Sequence, residues 1–455
     1  MLEEMKMFLE GGRLNRSGDF RLISENGAFF LVHRSGKRIL TDKIGRAVWE
    51  ALPQTSLEVV KDVQSKCLVS ARLVQEFLYI FLCSGLVRKQ NSENQKPLVK
   101  EQNRGAERNH AQEELVSVIV ITYNGAKYIR RCLESIQRQT YSRIEIIAVD
   151  NDSSDNTADL IRKSFPDVHL FRMKKNRHYA GGINFGIRKA GGRFIMLLNQ
   201  DTELDRECIR RLYQKARSDS RIGAVAPLMK FMELPGFING LGNQINNHGW
   251  GTDNFIYCVD IGQFEDLTEI PSACFGAVFL GREALESVGL PDKGYGSFYE
   301  DVDWSLRCWL RGWKIVPEAR AVVYHEFGAS YPSGKKLFFV VRNRLRLVLK
   351  IFRGRVMLGF LKNYMREDLR NSLSLLRRGD FRAAFCYGKA YFSLALRLPG
   401  IFLKRIVSMR RKIKGMRERD VLQKNPSFYC CLHAGLDMPE IDAAVIRRYY
   451  RWHML

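Results

Sequence analysis

The sequence predicts an α/β protein built on a mostly parallel sheet, preceded by a small winged-helix-like α/β unit and followed by a basic helical extension. Three observations carry that expectation. Residues 115–335 alternate short apolar runs with helical stretches, a β-α-β-α-β-α-β order that forces a parallel sheet. Almost every polar signature in that stretch falls at the carboxyl end of a predicted strand, where open α/β sheets bind their ligands. Charge is also segregated: of the net +24, residues 331–425 hold +20, with 25 Lys+Arg against 5 Asp+Glu.

The elements follow from local pattern. Residues 116–123, 144–150, 168–173 and 193–198 are apolar runs bounded by turn residues and read as strands; 126–138, 157–165 and 180–189 read as the helices between them. Ahead of them, residues 28–33 and 37–40 flank Arg34-Ser35-Gly36, a hairpin signal. Helical stretches follow at 41–52, from the capping-box spacing Thr55-Ser56-Leu57-Glu58, and at 71–84, where Gly85 stops the helix. Leu86-Val87-Arg88 reads as a closing strand, and residues 91–114 as a polar linker. Helices are expected again around 356–376 and 383–414.

Chemistry concentrates in four places. The first predicted strand ends in Thr122-Tyr123-Asn124, and the second in Asp150-Asn151-Asp152-Ser153-Ser154. A carboxylate at the tip of a buried strand is costly unless it binds something, and an Asp there can accept from a pyrimidine imide or from ribose hydroxyls. The alternative is helix capping by Asp152, Ser153 or Ser154. Next, Lys175 to Gly186 places small residues at a helix start, where backbone N–H groups can approach phosphate; the alternative is glycine for close helix–sheet packing. This is neither a G-x-G-x-x-G fingerprint nor a P-loop. Two acidic motifs lie about a hundred residues apart: Leu197-Leu198-Asn199-Gln200-Asp201-Thr202, and Phe298-Tyr299-Glu300-Asp301-Val302-Asp303-Trp304, which opens a helix. One carboxylate to hold a divalent metal and another to take a proton are what transfer from a nucleoside diphosphate needs. The alternative for the second motif is an acidic helix start favoured by the helix dipole.

Taken in order, VSVIVITYN, VDNDSSDNT, NRHYAGGINFGI, LLNQDTEL and FYEDVDWSLRCWLRGW resemble the family 2 glycosyltransferases of the GT-A fold, in particular the single-addition rhamnosyl- and galactofuranosyltransferase-like branch, over residues 116 to about 345. The resemblance implies an inverting, non-processive hexosyl or deoxyhexosyl transferase. It implies that Asp201 and His325 hold Mg²⁺ or Mn²⁺, with Asn199 standing where the D-x-D pattern has its first acid and bringing no charge. It implies Asp301 as general base with Glu300 supporting it. Asp303, about 200° round the helix from Asp301, is set apart from that task. The nucleotide-sugar site it implies comprises Thr122, Tyr123, Asn124, Asp150, Asp152, Asn176, Gly181, Gly182, Asn184 and Asn199. Tyr299 and Trp304 are expected to bind the acceptor, Trp309 and Trp313 to face the core, and Arg342-Asn343-Arg344 to lie near the donor side. The donor implied is UDP- or dTDP-linked. The Q-x-x-R-W motif of processive synthases is absent.

Residues 1–90 resemble the PqqD-like domain, a winged-helix relative that binds leader peptides. Ten cysteines lie without a C-x-x-C pair and read as reduced thiols of a cytosolic protein. The acidic Met1–Lys6 start is not that of a signal peptide, and the longest apolar stretch, residues 385–403, is broken by Lys389, Arg397 and Pro399, which leaves a surface-lying helix rather than a spanning one. The basic region is expected to dock on an anionic membrane face, with a solvated helical cover on the core as the alternative; no nucleic-acid motif accompanies the charge. Three functions follow in order: transfer to a lipid-linked or cell-envelope glycan; transfer to a ribosomal peptide or its product recruited by residues 1–90, as in mycofactocin-type glycosylation; and a catalytically inactive peptide-binding adaptor, which the intact Asp201, Glu300, Asp301 and His325 oppose.

Overall fold

The computed structural model describes residues 113–326 apart from short stretches between 234 and 266, residues 333–410, residue 421 and short pieces between residues 13 and 89. The chain divides into two compact units, one of residues 1–105, 257–261 and 429–455, the other of residues 106–256 and 262–428.

In the first unit β1 (Arg13–Arg16) lies between β5 (Gln54–Thr55) and β6 (Val87–Lys89), all antiparallel. Strands β2 (Phe20–Glu25), β3 (Ala28–His33) and β4 (Arg38–Thr41) form an antiparallel meander with Phe29 opposite Thr41. The strand pair expected around Arg34-Ser35-Gly36 and the strand expected near residue 87 are present. The expected helices of residues 41–84, and with them the winged-helix likeness, lie outside the described residues, as do residues 91–112 of the linker.

The second unit is centred on a sheet ordered β11-β17-β12-β16-β10-β7-β8-β9. Its strands are β7 (Val116–Thr122), β8 (Ile144–Asp150), β9 (His169–Arg172), β10 (Phe194–Asn199), β11 (Thr202–Leu204), β12 (Ile222–Phe231), β16 (Ala277–Gly281) and β17 (Lys314–His325). Helices α1 (Ile129–Gln137), α2 (Thr157–Ser164) and α3 (His178–Lys189) join the first four strands, which run parallel. Helix α4 (Cys208–Arg217) follows β11, and α5 (Arg282–Val288) follows β16. Every residue of β7 is buried, as a strand covered on both faces requires. Alternation then divides its side chains: Ile119 and Ile121 join one core, Val116, Val118 and Val120 the other. Sequence alternation did not foresee β16, which runs antiparallel to both β10 and β12. The reversal brings the residues that lead into it, Phe275 and Gly276, to the edge where the parallel strands end; there Asn199 N–H donates to Gly276 O at 2.9 Å.

Short strands β13 (Ile238–Gly240), β14 (Asn243–Ile245) and β15 (Gly251–Asp253) cover that edge, β13 pairing with β12 and β14 with β15. Gly242 between them has φ +69°, and a Cβ there would lie 2.4 Å from Ser272 O, so no other residue fits.

Helix α6 (Glu300–Leu310) carries the second acidic motif, and α7 (Ser333–Ile351) packs beside it. The basic region continues as α8 (Gly354–Arg377), α9 (Phe381–Ala395) and α10 (Leu398–Arg410). The single helix expected over 383–414 is therefore two, and Pro399 sits in the first turn of the second, where its missing N–H is harmless. Buried ion pairs bind these helices. Arg344 of α7 pairs with Asp368 of α8, which also accepts from Tyr391 of α9 at 2.7 Å. Lys350 bridges Asp303 at 2.7 Å and Asp292 at 3.1 Å, and Arg346 reaches Asp292 at 2.9 Å. Asp368→Ala leaves Arg344 as an uncompensated buried charge and is expected to cost about 3 kcal/mol or more of unfolding free energy. Denaturant titration checks this; a loss below about 1 kcal/mol would contradict the role given to the pair.

Candidate active site

The carboxyl ends of β7, β8 and β10 are fastened together by amide side chains. Gln200 Oε1 accepts from Thr122 Oγ1 at 2.6 Å and from Tyr123 N at 3.0 Å, while its Nε2 donates to Tyr123 O. Asn151 accepts from Arg177 N and donates to Asn176 Oδ1 and His178 O. Asp150 is fully buried; one oxygen accepts from Ser153 N and the other lies 3.4 Å from Arg172 Nε. Asn124, with φ +48°, accepts from Ser154 N at 2.8 Å. The capping alternative for Asp152, Ser153 and Ser154 is not realised: α2 opens at Thr157, whose N–H donates to Asp155.

These bonds sort the expected nucleotide-sugar residues. Tyr123, Asn124, Asp152 and Asn176 are exposed, Asn199 and Gly181 partly so. Thr122 is scaffold, its hydroxyl engaged by Gln200, while Asp150 is buried with Oδ2 beside Arg172 and without a hydrogen bond. Asn184 is a correction: it is buried and donates to Pro291 O at 2.8 Å. The start of α3 is a second correction. Its N–H groups are already taken, Arg177 N by Asn151, His178 N by Asn176, Tyr179 N by Ser297 Oγ and Ala180 N by Gly296 O. The glycines instead let the helix lie close on the sheet. A Cβ on Gly182 would sit 3.0 Å from Ile121 Cγ2, and one on Gly186 2.4 Å from Ile119 Cγ2.

The two acidic motifs converge. Asp201, in the turn after β10, is buried, with Oδ1 3.5 Å from His325 Nε2 at the end of β17. His325 Nδ1 lies 2.7 Å from Asn239 Oδ1. An amide oxygen only accepts, so Nδ1 is the donor in this contact, and Nε2 is the ring nitrogen that faces Asp201. An imidazole nitrogen and a carboxylate facing each other are a donor pair for a divalent cation. Among the described residues no group of three or more His, Cys, Asp or Glu could hold a metal by itself. The pair therefore fits a cation that completes its shell with phosphate oxygens and water, as Mg²⁺-type sites do.

Asp301 stands across from it, partly buried. Its Oδ2 accepts from Asn243 at 2.9 Å and its Oδ1 from Val302 N at 2.8 Å, and Phe275 N–H also reaches the carboxylate. Burial raises its pKa above the usual carboxylate range, against those hydrogen bonds, which lower it. Glu300 is buried with Oε2 unpartnered; burial first, then the Asp301 charge, holds it well above that range. Sequence reasoning missed Asp253 of β15, which faces Asp301, His325 and Lys336. Burial first, then Asp301, pushes it up to about 6. It also missed Tyr179, whose hydroxyl donates to Phe275 O at 2.6 Å within the field of Glu300, Asp201 and Asp301. Asn239, Asn243 and Asp253 lie in a polar, glycine-broken stretch whose side chains only the tertiary fold aims at one point.

The acceptor expectations are corrected. Trp304 is fully buried and donates to Gly289 O at 2.9 Å, so it packs the core. Tyr299 is buried too, its hydroxyl taken by Gly251 N–H. Its contribution is its backbone: φ +70° turns the chain sharply into α6. Asp303 points away as expected, pairing with Arg307 at 2.9 Å and with Lys350. Trp309 is buried, and Trp313 is partly so. The Arg342-Asn343-Arg344 run is buried. Asn343 donates to Tyr295 O, Ser297 O and Phe298 O, and Arg342 also holds Tyr295 O, so the run clamps the loop before Asp301.

Residues 117–289 match the family described as glycosyl transferase family 2. Over this stretch the chain is similar to family 2 glycosyltransferases. Over 107 residues the chain is 35% identical to glycosyltransferase GlyG of Streptococcus pneumoniae, covering 23% of this chain and 36% of the relative. Over 118 residues it is 30% identical to a poly-beta-1,6-N-acetyl-D-glucosamine synthase of Staphylococcus epidermidis, covering 26% and 29%. The chain thus spans about a third of the length of these curated relatives. Among solved structures it is similar to the mannosyltransferase PcManGT of Pyrobaculum calidifontis in complex with GDP-Man and Mn²⁺, at 17% identity and TM-score 0.41 over 77% of this chain and 92% of that one. GalNAc-T7 with UDP, GalNAc and Mn²⁺ gives 18% identity and TM-score 0.45 over 52% and 48%. Likeness of that degree says nothing about substrate.

The raised pKa of Glu300 fixes a sign. A carboxyl whose folded pKa exceeds its unfolded value contributes stability below the unfolded pKa and loses it as pH rises through the folded one. Glu300→Gln has no such loss. Its thermal midpoint relative to the parent is expected to climb from pH 5 to pH 8, followed by scanning calorimetry; a constant difference would show that Glu300 titrates normally.

Proposed function

We propose that this protein is an inverting, metal-assisted glycosyltransferase that moves one sugar from a nucleoside-diphosphate-sugar, UDP- or dTDP-linked, to an acceptor hydroxyl. The observation that carries the reading is the convergence of Asp201–His325 and Asp301 on one edge of the sheet, with Asp253 facing both sides. Tyr123, Asn124, Asp152, Asn176 and Asn199 supply the open polar groups for the donor at the neighbouring strand ends.

Asp301 takes the proton of the acceptor hydroxyl. The oxygen then attacks the anomeric carbon as the bond to the diphosphate breaks, so configuration inverts and the nucleoside diphosphate leaves with both electrons. The raised pKa suits Asp301 to this work, because a base nearer the operating pH drives proton transfer better. Burial and the Asp301 charge favour the protonated form of Glu300, so Asp301 is the member of the pair that ionises first. Asp201 and His325 would hold the Mg²⁺ or Mn²⁺, with Asn239 fixing the imidazole. A cation bound there supplies positive charge against the charge growing on the diphosphate. Asn199, an amide, adds none, which leaves the cation dependent on the diphosphate itself.

The acceptor we infer is a lipid-linked or cell-envelope glycan, reached from the cytoplasmic side by a protein resting on an anionic membrane face. The support is the +20 concentrated in residues 331–425. No helix among the described residues is long and apolar enough to cross a membrane.

Asp301→Asn is expected to lower kcat by about 10² to 10⁴ while UDP and Mn²⁺ binding change little. Full turnover in that variant would end the assignment. In the parent, activity should rise with pH along a limb displaced above the usual carboxylate range. Asn239→Leu is expected to weaken Mn²⁺ binding in the presence of UDP by about 10- to 100-fold, read by calorimetry. Unchanged affinity would remove Asn239 from the site.

A further inference from the structure

The outer faces of α8, α9 and α10 are apolar where a water-exposed helix should be polar. Apart from Tyr123, every exposed large apolar side chain among the described residues lies between Leu358 and Val407. On α9, Phe381, Phe385 and Phe392, with Leu396 just beyond its end, are 67%, 72%, 67% and 67% exposed. At 100° per residue they fall within about 60° of one another. On α8, Leu358 and Leu369 are 61% and 63% exposed and line up in the same way. The inner faces are already used: Phe360 and Tyr364 of α8, and Ala384, Tyr387 and Leu394 of α9, are buried in the core. Helices apolar on both sides have a second apolar neighbour.

The charges beside the stripes say which. Arg366 and Arg370 lie along one side of the α8 stripe and Arg382 and Lys389 along one side of the α9 stripe, all exposed, with the Lys389 ammonium over the Phe338 ring; Asp380, which caps α9, is the exposed acid among residues 353–407. Large apolar groups between Arg and Lys are the pattern of a helix lying in the plane of an anionic lipid interface, with rings among acyl chains and cations at headgroup phosphates. We infer that α8, α9 and α10 together form an insertion face through which this protein embeds in one leaflet of an anionic bilayer.

This deepens the membrane reading above and rests on it, changing its physics. Charge alone would let the protein adsorb and leave with salt; inserted phenylalanines would keep it there. The same helices reach the site. Tyr391 and Asp368 hold Arg344 of α7, and the adjoining Asn343 holds the loop that leads to Asp301. An embedded face therefore sets the height of the base above the headgroups, where a lipid-linked hydroxyl would arrive.

The test is flotation of the full chain with vesicles of phosphatidylcholine alone or with 30% phosphatidylglycerol, in about 0.1 M and 0.5 M NaCl, since 0.5 M salt shortens the screening length well below its value near 10 Å. The parent is expected to bind the anionic vesicles and to stay bound at high salt. Phe385→Ser/Phe392→Ser should bind at low salt and fall at least tenfold at high salt. Arg366→Gln/Arg370→Gln should weaken the first binding step. Circular dichroism and hydrolysis of the nucleotide-sugar in detergent-free buffer confirm that each variant is folded and that its active site stands. Release of the parent by salt, or binding indifferent to both phenylalanines, overturns insertion while leaving the transferase reading intact. Light scattering that shows a dimer abolished by the phenylalanine changes, without vesicle binding, overturns it in favour of a second copy of this chain.

Discussion

The burial of two adjacent carboxyls, Glu300 and Asp301, at the start of α6 is the constraint on which the rest of this unit depends. Water would relieve their repulsion at no cost; the interior does not. The protein keeps them there with a left-handed Tyr299, Asn243 and Phe275 N–H on Asp301, and a loop pinned by three carbonyl bonds to Asn343. What results is a carboxylate whose proton affinity is higher than in water. A catalytic base needs that property, and it is paid for by the packing around it.

The fastening is done largely by neutral amides. Gln200, Asn151, Asn239 and Asn343 each join two or more segments, and each offers donors and an acceptor without a charge to desolvate. Ionisable side chains face one another at Asp201, His325, Asp253 and Asp301. This division explains why Asn199 does not weaken the architecture. The strand tip is organised by Gln200 beside it, and the acid that faces His325 comes one residue later.

The basic region has two kinds of cation that a count of charges merges. Arg344, Arg346 and Lys350 are buried and matched to Asp368, Asp292 and Asp303; burial raises the Asp292 pKa, but the charges of Lys350, Arg346 and Lys404 outweigh it and hold the carboxyl well below the usual range. These join α7 to α6 and α8. Arg366, Arg370, Arg382 and Lys389 are exposed and run along one side of the apolar rows. Removing one of the first kind unfolds a joint; removing one of the second changes only what the surface attracts.

The sequence by itself determined the order of the first four parallel strands and the helices between them, because buried parallel strands leave a short-range signature, and its resemblance to a known family marked Asp201, Glu300, Asp301 and His325 as candidates. The opposite fate of Arg307-facing Asp303 was legible from helical angle alone. Tertiary structure decided what spacing cannot encode. It put Trp304 and Tyr299 in the core, where a motif reading saw acceptor ligands, because an aromatic ring after an acidic pair looks the same on either side of a helix. It consumed the N–H groups of α3 with Ser297 and Gly296, more than a hundred residues away. It brought Asp253, Asn239 and Asn243 to the site from a stretch with no motif, and it turned the phenylalanines of α9 outward once Tyr387 and Leu394 had filled the inside. Each of these depends on which distant surface a residue meets, and a linear pattern carries that only after the chain has closed on itself.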